Sequence, residues 1–138
     1  MIIADTGFFV ATASRGDRHH ARAVKVARDL AERLVTTWPV MSETCHLLAT
    51  RVGHDALLRF VAAAERGAFD VFDLSAGHLA AVRGLMEKYR ELPMDLADAS
   101  LVVLAGELGS GRILSTDARD FSTYRWKNRK PFTNLLVP

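Results

Sequence analysis

Short apolar segments alternate with helical segments along this chain, and the alternation constrains its fold more than any other feature. Residues 2–5, 34–37 and 112–116 are predicted to be buried strands, and residues 69–74 a partly exposed strand. Between them, apolar residues recur at the three- and four-residue spacing of amphipathic helices, most clearly over residues 19–33. This order predicts an α/β fold whose mostly parallel sheet is covered by helices on both sides.

The chain is long enough for one well-filled core and too short for two ordinary domains. It has 138 residues, of which 49% are hydrophobic, so we expect a single domain over residues 1–138. Pro39 favours a helix start, Gly53 separates two successive helices, and Pro93 ends another. Further helices are predicted over 8–13, 40–51, 75–91 and 95–108, and a short tail follows the strand at 112–116.

Composition excludes several classes of protein. The single cysteine, Cys45, cannot form an intramolecular disulfide, which fits a reducing compartment. No uncharged apolar run approaches the roughly 20 residues of a membrane helix, and no cationic leader precedes the first strand. We therefore expect a cytoplasmic protein that makes no membrane contact. The net charge of +2 permits contact with nucleic acid without requiring it.

Four acidic residues occupy places where folding seldom needs a carboxylate. Asp5 and Asp117 follow predicted strands, and Glu43 and Asp98 lie near the start of predicted helices. In a parallel sheet, helix N-termini of this kind emerge at the same edge as the carboxyl ends of the strands, where ligands bind. Gathered carboxylates repel one another and resist ionisation unless a cation holds them. The pattern predicts one metal-binding cleft.

Each acid also has a structural explanation. Asp95 has the position of a helix N-cap, which is its preferred interpretation, and Asp98 would be the acid in the first turn of that helix. Asp5 could cap the helix that follows it, Glu43 could interact with a helix dipole, and Asp117 could begin a turn. Only the joint placement of the four acids favours a shared site.

Taken together, the acidic segments resemble those of the PIN-domain ribonucleases, in particular the VapC-type toxins of bacterial toxin–antitoxin modules. In chain order, the segments are IIADTGFFVA with Asp5, SETCHLLATR with Glu43, LADASLVVLAGELG with Asp98 and ILSTDARDF with Asp117. The resemblance spans nearly the whole chain and implies a three-layer α/β/α sandwich with a mainly parallel central sheet. It further implies that these four acids are the catalytic and metal-binding residues of an endoribonuclease.

The expected cofactor follows from the ligand chemistry, and the expected partners follow from the resemblance. Carboxylate oxygens select hard divalent ions, so we expect Mg²⁺ or Mn²⁺. Because the attack uses water rather than the ribose hydroxyl, the resemblance implies products with 5′-phosphate and 3′-hydroxyl ends. The implied partners are an RNA substrate, a small cognate antitoxin of the VapB kind whose C-terminal segment blocks the cleft, and a second copy of the chain. The apolar helices over residues 40–64 are the candidate contact surface.

Two further groups of residues are assigned roles with open alternatives. Thr6, Thr116 and Asp120 could hydrogen-bond to the metal ligands, or could serve only as helix-capping or turn residues. A C-terminal segment interleaves aromatic rings with cations, a mixture suited to holding phosphates while stacking unpaired bases. Its alternative is an exposed loop whose aromatic rings pack on the core. The segment comprises Tyr124, Arg125, Trp126, Lys127, Arg129 and Lys130.

Two other functions compete with the nuclease. A catalytically silent PIN-like module would bind RNA or protein, although the presence of all four acids argues against loss of the site. A phosphoryl-transfer or receiver domain could also end its first strand in an aspartate, but the chain has no second acid beside Asp5 and no P-loop glycine-lysine signature. The histidines fit no zinc-ligand spacing.

Overall fold

A five-stranded sheet lies at the centre of the structure, a computed structural model that describes residues 1–137. In chain order the elements are β1 (Ile2–Ala4), α1 (Thr6–Ala13), α2 (His20–Asp29), β2 (Leu34–Thr37), α3 (Trp38–Arg51), α4 (His54–Glu65), β3 (Asp70–Phe72), α5 (Leu79–Lys88), α6 (Leu96–Leu108), β4 (Arg112–Leu114), α7 (Ala118–Thr123), β5 (Arg125–Trp126), β6 (Lys130–Pro131) and β7 (Thr133–Asn134). The sheet order is β3-β2-β1-β4-β7, and its neighbouring strands are parallel. The predicted α/β/α sandwich with a mainly parallel sheet is confirmed.

The core is centred on β1, β4 and α6, as their apolar composition predicts. Ile3, Ile113 and Leu114 are fully buried, and α6 buries seven of its residues against the sheet. A buried hydroxyl in the sheet finds its hydrogen-bond partner on the neighbouring strand: Thr36 of β2 donates to the carbonyl of Ala4 of β1, at 2.8 Å. An unpaired buried hydroxyl would cost roughly 1–3 kcal/mol, so such pairs let polar residues occupy a buried strand.

The helix predicted over residues 19–33 is shorter than its apolar pattern indicates. It ends at Asp29, and the following backbone is extended at Leu30. The Arg33 guanidinium forms an ion pair with Asp70, with N···O distances of 2.6 and 3.1 Å, and also donates to the carbonyl of Gly67. These contacts connect the loop before β2 to β3, and the sequence pattern carries no sign of them.

The segment after β4 is not the short tail that we predicted. It contains α7, the antiparallel pair β5–β6, and β7, which extends the main sheet beside β4. Each of these strands has only two residues, too few to show an alternating pattern. The turn of the hairpin places Lys127 and Asn128 at φ of 47° and 67°, a conformation common for asparagine but rare for lysine. Propensity alone therefore did not predict the hairpin.

Within residues 1–137, no helix is both long enough and apolar enough to cross a bilayer. The longest, α3, has 14 residues, whereas a membrane-spanning helix needs roughly 20.

Asn134 holds the C-terminal strand to the end of β4. Its amide nitrogen donates to the carbonyl of Ser115 at 2.9 Å, and its Oδ1 accepts from the backbone N–H of Ser115 at 3.3 Å. The same oxygen also accepts from the N–H groups of Leu136 and Val137, at 3.0 and 3.3 Å. One amide thus satisfies four backbone groups at the edge of the sheet.

We expect Asn134→Ala to lower the free energy of unfolding by about 2 kcal/mol, because it leaves these backbone groups without their partner. Urea denaturation of the purified chain measures the effect. Thr133→Ala, on the same strand with an exposed side chain, serves as the control and should change stability by no more than about 0.5 kcal/mol. Equal losses for the two variants would contradict the role assigned to Asn134.

Candidate active site

The four predicted acids line one cavity at the carboxyl edge of the sheet. Asp5 follows β1, Asp117 follows β4 and begins α7, Glu43 lies on α3, and Asp98 lies in the first turn of α6. The cavity has a volume of about 440 Å³ and includes four of the other residues named from the sequence. These four are Thr6, Asp95, Thr116 and Asp120.

Asp5 is the most deeply buried of these acids, with 6% of its surface exposed. Its Oδ1 accepts from the N–H of Thr6 at 2.7 Å, and its Oδ2 accepts from the hydroxyl of Ser115 at 2.8 Å. Burial raises the pKa of Asp5 from 3.8 to about 6; the two hydrogen bonds oppose the shift, and the charges of Glu43 and Asp117 add to it. Asp5 therefore caps α1 and also belongs to the acidic cleft.

Asp98 is held by hydrogen bonds with Asp95 and Tyr124. Asp95 is the N-cap of α6 and accepts from the N–H of Asp98 at 2.8 Å, as predicted. The phenol of Tyr124 donates to Oδ2 of Asp98 at 3.1 Å. Burial, together with the nearby charges of Asp95, Asp5 and Asp117, raises the pKa of Asp98 to about 7, and the hydrogen bond from Tyr124 opposes the shift. A positive charge in the cleft would therefore favour the ionised forms of Asp5 and Asp98.

The structural explanation offered for Glu43 fails, whereas the one offered for Asp117 holds. Glu43 lies beyond the first turn of α3, where the helix dipole has little effect, so dipole stabilisation does not explain it. Asp117 does have a local role, because its side chain accepts from the N–H of Asp120 at 3.3 Å and caps α7. Burial and the neighbouring Asp117 raise the pKa of Asp120, which places a fifth carboxyl group in the same electrostatic environment.

Ser115 and Gly7 contribute to the cleft but were not identified from the sequence. The Ser115 hydroxyl donates to Asp5 and accepts from the N–H of Asp117 at 2.9 Å, so it links two of the acids. Any Cβ at Gly7 would collide with the hydroxyl of Thr116, so only glycine allows α1 to approach the β4–α7 turn this closely. Both residues lie inside the acidic sequence segments, yet only the packing of β1 beside β4 reveals their roles.

The donor chemistry of the cleft fits a hard divalent cation. The charged groups of the cleft that could coordinate a metal are carboxylates. In the described part of the chain, the Thr6 hydroxyl is buried without a hydrogen-bond partner. In residues 1–137, no three His, Cys, Asp or Glu side chains are close enough to form a ligand cluster by themselves. Mg²⁺ commonly keeps several waters and binds one or two carboxylates directly, so a preformed cluster of three ligands is not required.

The aromatic–cationic segment proposed for RNA contact is placed differently from its prediction. Tyr124 and Trp126 are buried, with 0% and 7% of their surfaces exposed, so base stacking on these rings is excluded in this conformation. Arg125 donates to three backbone carbonyls at the end of α7. The alternative interpretation, aromatic rings packed on the core, is the one that the structure supports.

The exposed cations of this segment also lie away from the acids. Lys127, Arg129 and Lys130 belong to the β5–β6 hairpin, and Lys127 packs near Gly106 of α6. Asp98 precedes Gly106 by eight residues, which corresponds to roughly 12 Å along a helix. The hairpin therefore packs against a part of α6 remote from the cleft.

Comparison with known proteins agrees with this architecture. A family model described as PIN domain matches residues 2–127. Ribonuclease VapC26 of Mycobacterium tuberculosis is 32% identical over 124 residues, which cover 90% of this chain and 92% of that protein. The crystal structure of Mycobacterium tuberculosis VapC20, a toxin described as cleaving the sarcin–ricin loop, superposes with a TM-score of 0.80 at 22% identity. That match covers 86% of this chain and 92% of VapC20.

The raised pKa of Asp98 predicts how stability depends on pH without divalent cations. The folded pKa is about 7, whereas an unfolded aspartate titrates near 4. Stability from the protonated carboxyl is therefore complete below about pH 4 and is lost as the pH rises through 7. Asp98→Asn removes this loss, and we expect the variant to be about 2 kcal/mol more stable than the wild type at pH 8. This is about half of the full effect, because the carboxyl is partly solvated.

Thermal or urea unfolding in EDTA between pH 4 and pH 8 measures the difference. The two proteins should approach each other at pH 4, where Asp98 is protonated in the folded protein and about half protonated in the unfolded chain. Asp73→Asn, an exposed loop position, is the matched control and should follow the wild type within about 0.5 kcal/mol. A gap between wild type and Asp98→Asn that does not change with pH would contradict the assignment.

Proposed function

Because this chain belongs to the PIN domain family, and within it to the VapC-type toxins, we propose that it is an endoribonuclease that depends on Mg²⁺ or Mn²⁺. One observation carries the proposal: acids from four separate sequence segments line a single cavity. Within it, the pKa values of Asp5 and Asp98 are raised to about 6 and about 7. Such shifts mark positions where a bound cation would favour the ionised forms.

We assign the principal metal contacts to Asp5 and Asp98, and the completion of the site to Glu43 and Asp117. A bound divalent cation supplies positive charge that offsets the charge of the phosphate and assists attack by water. The Ser115 hydroxyl and the Thr6 N–H hold both oxygens of Asp5 in a defined orientation. Such outer contacts restrict the motion of a ligand and commonly affect activity by 10- to 100-fold.

The contacts of Asp98 and Glu43 indicate how each could act in this scheme. Tyr124 donates to one oxygen of Asp98 and leaves the other free to face the cavity. Glu43 is half-buried and has no side-chain hydrogen bond within residues 1–137, so its carboxylate is available to position the attacking water. A catalytically silent module, the alternative function, would have no need of this many mutually repelling carboxylates in one cleft.

We expect the purified chain to cleave RNA in Mn²⁺ or Mg²⁺ and to lose this activity in EDTA. Asp5→Asn and Asp98→Asn should each reduce the cleavage rate by at least about 100-fold, because each removes a charged metal contact. Gel analysis of a structured RNA measures the rates, and circular dichroism verifies folding. Asp73→Asn should cleave at the wild-type rate. Undiminished cleavage by folded Asp5→Asn and Asp98→Asn would contradict the assigned site.

The ends of the products provide a second readout of the same reaction. Attack by water with departure of the 3′ oxygen leaves a 3′-hydroxyl and a 5′-phosphate, so a 5′-phosphate-dependent exonuclease should degrade the downstream fragments. Fragments with a 2′,3′-cyclic phosphate would indicate attack by the ribose hydroxyl and would contradict the proposed chemistry.

We propose two protein partners, a small antitoxin and a second copy of the chain. An antitoxin segment that presents an arginine to the acids would neutralise the cleft through charge-assisted hydrogen bonds. The exposed apolar face of α3 and α4 supports an association surface: Trp38, Leu58 and Val61 are 55%, 52% and 44% exposed. The face surrounds a cavity of about 720 Å³, and exposed apolar patches of this kind mark interaction sites.

Light scattering of the purified chain should give the mass of a dimer, and Val61→Glu should shift the mass towards a monomer. Ala62→Glu introduces the same charge at a neighbouring exposed position outside the cavity and is the control. Addition of the product of a short neighbouring reading frame should form a stable complex and suppress cleavage. A monomeric wild type would contradict the dimer, and unchanged cleavage would contradict inhibition by that product.

A further inference from the structure

Arg51 is the only cationic side chain that lines the acidic cleft in the described part of the chain. It is the last residue of α3, and its side chain is exposed. It forms no ion pair and no side-chain hydrogen bond within residues 1–137, although seven carboxyl groups line the same cavity. A cation in this position is therefore available to a ligand.

The geometry of α3 explains why Arg51 does not pair with Glu43. Glu43, Leu47 and Arg51 follow one another at four-residue spacing and all line the cleft, so one stripe of the helix forms its wall. Eight residues separate Glu43 from Arg51, which corresponds to roughly 12 Å along the helix axis. The backbone of Arg51 thus lies about two helical turns from that of Glu43 along the same wall of the cleft.

Other arginines in the structure are engaged in contacts that stabilise the fold. Arg33 pairs with Asp70, Arg112 pairs with Glu32, and Arg125 binds the carbonyls that end α7. Burial, hydrogen bonds and the charges of other carboxyl groups cause the main pKa shifts of Asp5 and Asp98. Arg51 is not among these main causes. Arg51 therefore does not stabilise the fold through an ion pair and is not the main counter-ion of the acids.

We propose that Arg51 binds a backbone phosphate of the RNA beside the scissile phosphate, an inference that rests on the proposed nuclease function. An RNA strand extends beyond the bond that is cut, so its flanking phosphates must pass along the wall of the cleft. The planar guanidinium presents paired N–H donors that match two phosphate oxygens. The phosphate contact is thereby assigned to the end of α3 instead of the β5–β6 hairpin.

A comparison of four proteins tests this assignment: the wild type, Arg51→Ala, Arg51→Lys and Arg59→Ala. Arg59 lies exposed on α4, outside the cleft, and its removal eliminates the same charge. Steady-state cleavage of a single-stranded RNA in Mn²⁺ gives KM and kcat. We expect Arg51→Ala to raise KM about tenfold and to leave kcat within about twofold, the loss typical of one charge-assisted contact made before and during the reaction.

Two further readouts separate phosphate binding from a structural role. The slope of log(kcat/KM) against log[salt] should become shallower by about 0.7 for Arg51→Ala, whereas Arg51→Lys should retain the wild-type slope with an intermediate KM. The increase in Tm on adding Mn²⁺ should be the same for all four proteins, because the acids remain in place. Arg59→Ala should match the wild type throughout.

The outcomes distinguish this proposal from the one on which it rests. If the wild type cleaves RNA and Arg51→Ala has the KM and salt slope of Arg59→Ala, the phosphate contact is wrong and the nuclease function stands. A fall in kcat at unchanged KM would also overturn the contact. If the wild type shows neither Mn²⁺-dependent cleavage nor a Mn²⁺-dependent rise in Tm, both proposals fail.

Discussion

The cost of burying carboxyl groups close to one another is the constraint on which the functional edge of this fold depends. Asp5 and Asp98 are delivered by β1 and α6, and the folded chain raises the pKa of both above the ordinary aspartate range. A protein selected only for stability would place neutral residues at these positions, since each unpaired buried charge lowers the free energy of unfolding. The cleft is thus tolerated by the fold and becomes favourable when a cation binds.

The surrounding structure limits that cost by giving several acids a second role. Asp5 caps α1, Asp95 caps α6 and Asp117 caps α7, so these carboxyl groups also satisfy backbone N–H donors at helix N-termini. The structural and functional interpretations of these acids therefore do not exclude each other. Glu43 is different, because it caps no helix and lies beyond the first turn of α3.

The acids of the cleft lie apart from the cations of the β5–β6 hairpin. The acids gather at the carboxyl edge of the sheet, whereas Lys127 of the β5–β6 hairpin packs near Gly106, in a distant part of α6. The hairpin itself is a structural feature: Trp126 donates to the carbonyl of Pro131 at 3.0 Å, and its ring covers Gly111. Arg51 is the exception, because it lines the acidic cleft at the end of α3, and we therefore assign the phosphate contact to it instead of the hairpin.

The sequence by itself determined the α/β class, the order of elements as far as β4, and the four acids that form the cleft. These features depend on local periodicity and on residues that follow strands or begin helices, which neighbouring positions in the chain reveal. Only the tertiary structure decided the C-terminal hairpin, the addition of β7 to the sheet, and the burial of Tyr124 and Trp126. Two-residue strands carry no readable pattern, and a ring's exposure depends on distant segments that pack over it. The roles of Ser115, Gly7 and Arg51 were likewise decided by tertiary structure, because each depends on the approach of elements that are far apart in the chain.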